Sequence, residues 1–385
     1  MSRRAKLLVA CGLLLAVTVL AAGCGGGGST GGGKGKIPVG LATALTGEYT
    51  IVGQYLRDGA QMAVDEINAS GGINGQQIEF FREDSANTNT AAVNAYNKLI
   101  DQYHVCAIIG PDLSPQHFAV KPIVEKKHVV VFGEGTNAKL TDNYPWYIRM
   151  RPSDAIAAEA AAKFAVENLK KTKVGVTHDT DEFGVGGKDI IVQTLQKLGA
   201  TVVGVEGYNS QDKDLSAQLT SLKNKGAEVI IDWGHPAQSA TIQRQNKQLG
   251  INLPIVLSPG AAMPATINLA GGATDGNYAI VDGIPTQSTD PRVQEWCKKY
   301  RDKFHMDPDF HASAAYDAVY LLKAAIEKAN STKPEDIQKA LMDIKDFKGI
   351  ANTFSFSGNG DGAHQVVVAQ FKGMEPKVIA TIQVK

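Results

Sequence analysis

The stretch IPVGLATALTGEYTIVGQYLRDGAQMAVDEINASGGING, residues 37–75, carries the clearest indication of the fold. It begins with an apolar run at 37–42, which is typical of a buried strand. Apolar residues from Leu56 to Ile67 then recur at helical spacing, and the pair Gly71-Gly72 predicts where this helix ends. A buried strand followed by an amphipathic helix is the first half of a βαβ unit.

The same alternation continues along the chain and predicts an α/β fold with two successive doubly wound parallel sheets. In the first half the predicted elements are strands at 77–82, 105–110 and 129–133 and helices at 90–102 and 114–126. In the second half they are helices at 153–169, 184–198, 214–225 and 237–249 and strands at 173–177, 201–206, 228–232 and 255–258. Ligands of such sheets bind in loops beyond the carboxyl ends of the strands.

The N-terminus predicts export. Basic residues precede an apolar run from Leu7 to Leu20, which is too short to span a bilayer as a permanent helix. Small residues end the run and Cys24 follows them directly. We therefore predict a signal peptide over 1–23 and lipid attachment at Cys24; an ordinary signal peptide with a chance cysteine is the alternative.

Glycines dominate the segment behind this cysteine. Residues 24–36 contain few side chains that could be buried, which predicts a flexible tether. The body would then be anchored to a membrane through lipid, on the extracytoplasmic side, and would not span it. Whether this is the periplasm or the outer face of a cell with one membrane stays open.

Composition indicates a globular body of about 350 residues, which is long enough for two domains. Acidic and basic residues number 39 each, and removal of the basic leader leaves the body mildly acidic, which argues against a nucleic-acid partner. Only Cys106 and Cys297 remain in the body. Two cysteines exclude a disulfide scaffold, but a single disulfide and two buried thiols both stay open.

The loop from Gly110 to Pro115 ends one predicted strand and opens a helix. Ser114 is placed at the helix cap and Pro115 at the first helical position. A free helix start offers N–H donors and partial positive charge, which suits a ligand carboxylate. The alternative is that Ser114 only caps its own helix.

Two further loops carry candidate binding residues. In Gly133–Asn137 the glycines, including Gly135, would let a ligand approach the backbone closely. The loop at 179–184 presents the ring of Phe183 ahead of a helix. A plain turn and a core phenylalanine are the respective alternatives.

Motifs for catalysis and metal binding are missing from the sequence. No G-x-G-x-x-G follows a strand, and there is neither a Walker loop nor a G-x-S-x-G elbow. The eight histidines lack the spacing of a zinc site, so each of them, His311 included, is predicted to be a surface or satisfied residue. We therefore predict a protein that is not an enzyme and needs no metal or cofactor.

Short motifs follow one another in a characteristic order. They are Leu45-Thr46-Gly47 with Gly53, Ala63-Val64-Asp65-Glu66-Ile67-Asn68 with Gly71-Gly72-Ile73-Asn74-Gly75, Asp84, Ala107-Ile108-Ile109-Gly110, Tyr147-Ile148-Arg149, Phe183-Gly184-Val185-Gly186 and Gly199-Ala200. In this order they resemble the lipid-anchored substrate-binding proteins of ABC importers, in the branched-chain amino acid (Leu/Ile/Val-binding) family with the type I periplasmic-binding fold. The resemblance covers nearly the whole body.

The resemblance implies two lobes joined by three chain crossings, with a solute trapped between them by hinge closure. The implied parts are lobe 1 at 37–150 and 286–348, lobe 2 at 151–282 and 353–385, and crossings near 149–153, 282–285 and 348–353. It also implies a monomer that delivers a small solute to permease subunits in the membrane. A ligand sensor of the same fold is the alternative function.

The same resemblance implies roles for individual residues. Ser114 and Thr136 fall on positions that bind the ligand's α-carboxylate and α-amino groups. Glu134 stands where the family offers a backbone carbonyl, and Phe183 where many members have tyrosine. Trp233 falls in or beside the next ligand loop, as does His235, and Tyr49 is a further candidate.

Gly260 departs from the family pattern, because amino acid binders commonly place an acidic residue there to hold the ligand's ammonium. A buried charge without a partner is expensive, so two ligand classes stay open. In the first, Glu134 takes over the ammonium and the ligand is an amino acid. In the second, the ligand is a carboxylate or amide without an ammonium, and Tyr49, Phe183 and Trp233 would contact it, as suits an aromatic ligand.

Overall fold

The computed structural model of the protein describes residues 35–47, 49–356 and 358–383. The predicted signal peptide, Cys24 and most of the predicted tether lie outside these residues. None of the helices in the described part of the chain combines the length and the apolar character needed to cross a membrane.

Lobe 1 is built on a five-stranded parallel sheet in the order β2-β1-β3-β4-β5. Its strands are β1 (Ile37–Thr43), β2 (Ile78–Asp84), β3 (Ala107–Ile109), β4 (Val130–Gly133) and β5 (Tyr147–Arg149). The helices between them are α1 (Thr50–Ala69), α2 (Asn89–Asp101) and α3 (Ser114–Lys127). This confirms the predicted parallel sheet of the first half.

Residues 37–75 form β1, α1 and the turn after them, as the sequence pattern predicts. Leu41 of the strand and Leu56 of the helix are fully buried in the same core. The helix stops where Gly71 and Gly72 adopt positive φ angles of 104° and 78°. A Cβ at Gly72 would lie 2.1 Å from the Gln76 carbonyl oxygen, so only glycine fits this turn.

Lobe 2 contains a seven-stranded sheet in the order β14-β13-β10-β9-β8-β6-β7. Its parallel part is formed by α4 (Asp154–Lys163), β6 (Lys173–Asp179), α5 (Glu182–Lys197), β7 (Thr201–Tyr208), α6 (Ser216–Asn224), β8 (Val229–Trp233), α7 (Pro236–Gln248), β9 (Ile255–Leu257), α8 (Pro264–Ala270) and β10 (Tyr278–Val281). A π-helical turn at Phe164–Asn168 extends α4.

The chain then returns to lobe 1 and ends in lobe 2. The returning elements are α9 (Pro291–Phe304), α10 (Phe310–Ala329), α11 (Pro334–Met342), β11 (Phe347–Lys348) and β12 (Thr353–Phe354), and the last strands are β13 (Gln365–Lys372) and β14 (Glu375–Gln383). Helix α10 packs closely on α1, since a Cβ at Gly59 would lie 2.0 Å from the Ala312 carbonyl oxygen. Strand β13 pairs antiparallel with β10, and β14 pairs antiparallel with β13.

The third crossing differs in position from the prediction. The sequence analysis assigned 353–385 to lobe 2, but Phe354 and Phe356 are fully buried in the core of lobe 1. Asp361 also pairs with Arg149, the last residue of β5. Ala363 pairs with Phe354 and is buried in the same core, so the segment up to residue 363 packs on lobe 1 and the chain crosses after it.

Both cysteines of the body lie in the core of lobe 1. Cys106 and Cys297 are buried and free, so the structure contains two thiols and no disulfide between them. Burial raises the pKa of Cys106 to about 12 and that of Cys297 to about 11. Neither thiol reaches the cleft between the lobes.

Candidate functional site

A cavity lies between the lobes at the places where the strand order of each sheet reverses. These places are between β1 and β3 in lobe 1 and between β6 and β8 in lobe 2. The cavity, together with the open solvent at its mouth, contains about 500 Å³ that protein atoms do not fill. The predicted site residues that line it are Tyr49, Ser114, Glu134, Gly135, Thr136, Phe183 and Gly260.

Ser114 does not cap its own helix. Helix α3 begins at Ser114, and its cap position is Leu113, whose N–H donates to the Gln116 side chain at 3.4 Å. The Ser114 Oγ instead accepts hydrogen bonds from the backbone N–H groups of Thr136 and Asn137, each at 3.2 Å. Both lone pairs of the hydroxyl are thus occupied, and its proton is left to donate.

The start of α3 and the Ser114 hydroxyl together form an anion site. The first turn carries a partial positive charge and N–H groups without a helical acceptor. Pro115 is the second helical residue, one place later than predicted, and its lack of an N–H is harmless there. This arrangement can bind a carboxylate.

Glu134 is a buried acid whose two carboxyl oxygens have different surroundings. Its residue is 1% exposed, and Oε2 lies 2.7 Å from His311 Nδ1. Oε1 has no hydrogen-bond partner among the described residues. Burial raises the pKa of Glu134 to about 8, against the attraction of Arg151. At neutral pH the carboxyl group of the empty cavity is therefore mostly protonated.

Arg151 is the cation closest to Glu134, but another acid engages it. It forms an ion pair with Asp282, and these two residues fall within the predicted first and second crossings. Its Nε is 3.9 Å from Glu134 Oε2, and its Nη1 donates to the Glu134 backbone carbonyl at 3.4 Å. In this chain that carbonyl, which the resemblance implied for ligand binding, already has a donor.

Glu134 and Asp112 are the acidic residues that line the cavity, and both belong to lobe 1. Asp112 Oδ1 accepts from the Thr43 hydroxyl at 2.7 Å, and Oδ2 accepts from Ala44 N at 3.0 Å. Asp112 is thus committed to fixing the loop after β1. Among the described lining residues, Glu134 Oε1 is the carboxyl oxygen left for a ligand.

Aromatic rings form the lobe 2 side of the cavity. The Phe183 ring packs 5.0 Å from the His235 ring and 6.0 Å from the Trp233 ring, measured between centroids. Tyr49 reaches His235 from lobe 1, edge-on at 5.9 Å. Trp233 is fully buried behind Phe183 and does not line the cavity, so the structure places it as a support for Phe183.

His235 forms an ion pair at the outer edge of the cavity. Its Nε2 lies 2.7 Å from Asp181 Oδ2. Burial opposes the charge on each residue, but the hydrogen bond between them raises the pKa of His235 and lowers that of Asp181. Ligand atoms of these two residues and Asp179 lie within 4.8 Å of one another, close enough to hold a metal ion. Asp179, however, already accepts from Asp181 N and from the Ser210 hydroxyl.

Gly260 lies in a short turn, Pro259–Ala262, on the lobe 2 side. A Cβ at this position would be 3.0 Å from Pro236 Cγ. An acid at residue 260 would therefore require the Pro236 ring to move. Position 260 is therefore a glycine in a tightly packed turn, and it supplies no acid to the lobe 2 side of the cavity.

The two lobes touch beside the cavity at Asn137 and α5. Asn137 Nδ2 donates to the Glu182 backbone carbonyl, and its Oδ1 accepts from Lys139 N at 2.9 Å. A Cβ at Gly186 would be 2.4 Å from Asn137 Nδ2. Glycine at 186 thus permits the close approach of the lobes in this structure.

Several lining residues were missed by the sequence analysis. His311 lies 177 positions from Glu134, and Arg151, Met263 and Phe310 likewise reach the cavity only through the fold. Met263 stands out because it follows β9 in lobe 2 yet packs in the core of lobe 1. No local pattern marks these residues, since each reaches the cavity through contacts between segments that are distant in the sequence.

Comparison with known proteins agrees with this architecture. Over 329 residues, the chain is 29% identical to the Leu/Ile/Val-binding protein homolog 2 of Brucella abortus. The alignment covers 84% of this chain and 87% of that protein. It is 28% identical to the leucine-, isoleucine-, valine-, threonine-, and alanine-binding protein of Pseudomonas aeruginosa, over 84% of this chain and 87% of that protein.

Solved structures show the same fold. A leucine binding protein from Thermotoga maritima superposes with a TM-score of 0.85 at 28% identity, covering 90% of this chain and 99% of that one. A branched-chain amino acid transporter substrate binding protein from Streptococcus pneumoniae, in complex with isoleucine, gives 0.83 at 25% identity, with 91% and 99% covered. The model of the family described as Periplasmic binding protein matches residues 36–375. The chain therefore belongs to the periplasmic binding protein family, with the type I fold.

Proposed function

We propose that this protein is the solute-binding component of an ABC importer and that it captures an amino acid with an apolar side chain between its lobes. The observation that carries the proposal is the pairing of two sites in one cavity. An anion site at Ser114 and a Glu134 oxygen without a partner among the described residues complement the two charges of a zwitterion. The names of the relatives, which bind leucine, isoleucine and valine, support this ligand class.

The ligand would be oriented by lobe 1. Its carboxylate would accept from the Ser114 hydroxyl, from Thr136 and from the first turn of α3. Its ammonium would donate to Glu134 Oε1, which replaces an acid at Gly260. The apolar side chain would lie against Phe183 and Met263, where burial of apolar area stabilises the complex.

Capture would be a reversible shift between open and closed forms without chemical change. A ligand that contacts both lobes favours the form in which they are close. The Asn137 contact with Glu182 exists only when the lobes approach, so it would add to the stability of the closed form. The permease would recognise that form.

A second candidate is a carboxylate or amide without an ammonium. The pKa of Glu134, raised to about 8 by burial, favours it, because a neutral carboxyl group can donate a hydrogen bond to a ligand oxygen. The two candidates predict opposite responses when the ammonium is removed from the ligand.

Calorimetric titration of the purified protein, stripped of bound solute, separates these candidates. The ligands are leucine, isoleucine and valine, each paired with the 2-oxo acid of the same carbon skeleton. We expect saturable binding of the amino acids and binding of the oxo acids weaker by about tenfold or more. Binding of oxo acids or amides alone would replace the first candidate by the second. Loss of solute uptake in cells lacking the protein would test the role in import.

We also propose that the mature protein is a lipoprotein that begins at Cys24 and is held outside the cytoplasm. The support is the sequence of the leader, since these residues lie outside the described part of the chain. Substitution Cys24→Ala should release the protein from the membrane fraction. Retention of the variant in that fraction would contradict the lipid anchor.

A further inference from the structure

We propose that His311 is the positioning residue of the ammonium subsite: it holds Glu134 with one carboxyl oxygen facing the cavity, and the Glu134–His311 pair gives up one proton when an amino acid binds. The inference rests on the proposed function and deepens it. It assigns the residue through which Glu134 acts and predicts that binding depends on pH.

Geometry carries the first half of the proposal. His311 is the second residue of α10, is 5% exposed and lines the cavity. Its Nδ1 lies 2.7 Å from Glu134 Oε2, and the Phe310 ring packs against its ring with centroids 4.2 Å apart. His311 therefore bonds to Glu134 Oε2, and Glu134 Oε1 remains available to the ligand.

The charges around Glu134 explain why the empty cavity keeps a proton on the pair. The titratable and charged groups that face Glu134 from the surrounding elements are Arg151, Asp282, Asp309, Asp112, Tyr147 and His311. Acids outnumber cations in this set, and Asp282 already pairs with the Arg151 guanidinium. Glu134 is 1% exposed, and no unpaired cation among the described neighbours stabilises its ionised form.

Burial raises the pKa of Glu134 and lowers that of His311, because the charged form of each residue loses its hydration. Both shifts favour a proton on the Glu134 carboxyl group beside a neutral imidazole when no ligand is bound. A ligand ammonium at Oε1 reverses the preference: the Glu134 O–H bond breaks, the proton leaves to solvent, and the carboxylate accepts the ammonium N–H.

The sign of the pH dependence follows. Below the pKa of the empty site, each binding event releases a proton, so affinity rises with pH. We expect an increase of up to about tenfold per pH unit between about pH 6 and pH 7. A ligand without an ammonium does not stabilise the ionised form of Glu134. The affinity for such a ligand should therefore not rise over this pH range.

Two variants separate positioning from simple packing. In His311→Asn the amide nitrogen takes the place of Nδ1 on the same Cγ, so it can still bond Glu134 Oε2. We expect affinity for leucine within about threefold of wild type and the same proton release. In His311→Leu the partner is lost and Glu134 is free to rotate, and we expect a loss of about tenfold or more.

The test is calorimetry at about pH 6.5 in two buffers of different ionisation enthalpy. The probes are leucine and 4-methyl-2-oxopentanoate, which share a carbon skeleton. Wild type and His311→Asn should release close to one proton with leucine and none with the oxo acid. Glu134→Gln should release none. Asp317→Asn is the matched control, because Asp317 is a buried lobe 1 acid, with a pKa raised to about 7, outside the cavity.

The outcomes distinguish this inference from the proposed function. Leucine binding without proton release, or unchanged leucine binding by His311→Leu, would overturn the inference and leave amino acid binding intact. Absence of binding by any amino acid would overturn the proposed function, and the ammonium subsite with it. A change in proton release in Asp317→Asn would show that the proton comes from elsewhere.

Discussion

The two sides of the cleft differ in chemistry. Lobe 1 contributes Ser114, Thr136 and Glu134, which are hydrogen-bonding or ionisable groups buried at strand ends and at a helix start. Lobe 2 contributes mainly apolar surface, with the Phe183 ring as its centre and the His235–Asp181 ion pair at the rim. The difference indicates that lobe 1 recognises the charged end of the ligand and lobe 2 covers its side chain.

This division has a physical basis. Buried polar groups must be aligned with their partners, and lobe 1 holds its groups by bonds within the lobe, such as Ser114 to the Thr136 backbone. An apolar wall needs only complementary shape and area. Lobe 2 can therefore move during closure without disturbing recognition of the ligand's charges.

The largest expected effect comes from removing the charge of the lobe 1 site. Glu134→Gln should weaken leucine binding by about hundredfold or more, because a buried ammonium without a counter-charge costs roughly 3 kcal/mol. Calorimetry at about pH 8.5 shows the effect in full, since the pKa of Glu134 is about 8.

Asp317→Asn is the control for this prediction. Asp317 accepts hydrogen bonds from the Ile350 and Ala351 backbones, away from the cleft, so its substitution should lower the melting temperature and leave affinity unchanged. Leucine binding by Glu134→Gln at wild-type strength would contradict the assignment of the ammonium to lobe 1.

A smaller loss is expected at the anion site. Ser114→Ala removes a donor to the ligand carboxylate and the acceptor of two backbone N–H groups. A hydrogen bond to a charged group contributes roughly 2 kcal/mol, so leucine affinity should fall by about thirtyfold. Ser85→Ala is the matched control, because Ser85 is buried in lobe 1 and its hydroxyl has no partner among the described residues. Equal losses in both variants would refute a specific role for Ser114.

Closure itself can be weakened without touching the ligand. Gly186→Ala places a methyl group against Asn137, and overpacking of this kind costs roughly 1–3 kcal/mol in the closed form. Leucine affinity should fall by about tenfold, while small-angle scattering of the ligand-free protein stays as in wild type.

Asn137→Ala provides the second arm of this experiment. With the asparagine side chain removed, Gly186→Ala should have little further effect on affinity. Additive losses in the double variant would mean that Gly186 acts by some route other than contact with Asn137.

The smallest effect is expected on the lobe 2 side. Phe183→Tyr adds the hydroxyl of the tyrosine that the resemblance implies for many family members. The Phe183 ring itself already packs on His235. If lobe 2 only covers the side chain, leucine affinity should change by less than about threefold. A tenfold gain measured by calorimetry would show that lobe 2 also binds a polar group of the ligand.

The sequence predicted what depends on local pattern. Strand and helix periodicity predicted strands β1–β4 and β6–β9 of the two sheets. A strand-end loop identified Ser114, and the family resemblance identified Glu134, as candidate ligand residues. The sequence did not predict His311 or Met263, because neither carries a local signal and each reaches the cavity through long-range packing.

The third crossing shows the same limit. The predicted boundary at Lys348–Thr353 falls on β11, β12 and the turn between them, whereas burial of Phe356 and the Arg149–Asp361 pair carry lobe 1 further along the chain. The resemblance implies that Trp233 lies in or beside a ligand loop, but complete burial in the lobe 2 core places it behind Phe183. Tertiary contacts of this kind produce no periodic pattern in the amino-acid sequence.

A crystal structure of the leucine complex would show which lobe holds each charge of the ligand. We expect the ligand ammonium at hydrogen-bonding distance, about 3 Å, from Glu134 Oε1 and the ligand carboxylate at Ser114 Oγ and the start of α3. An ammonium that faces lobe 2 near Gly260, with Glu134 bonded only to His311, would contradict this expectation.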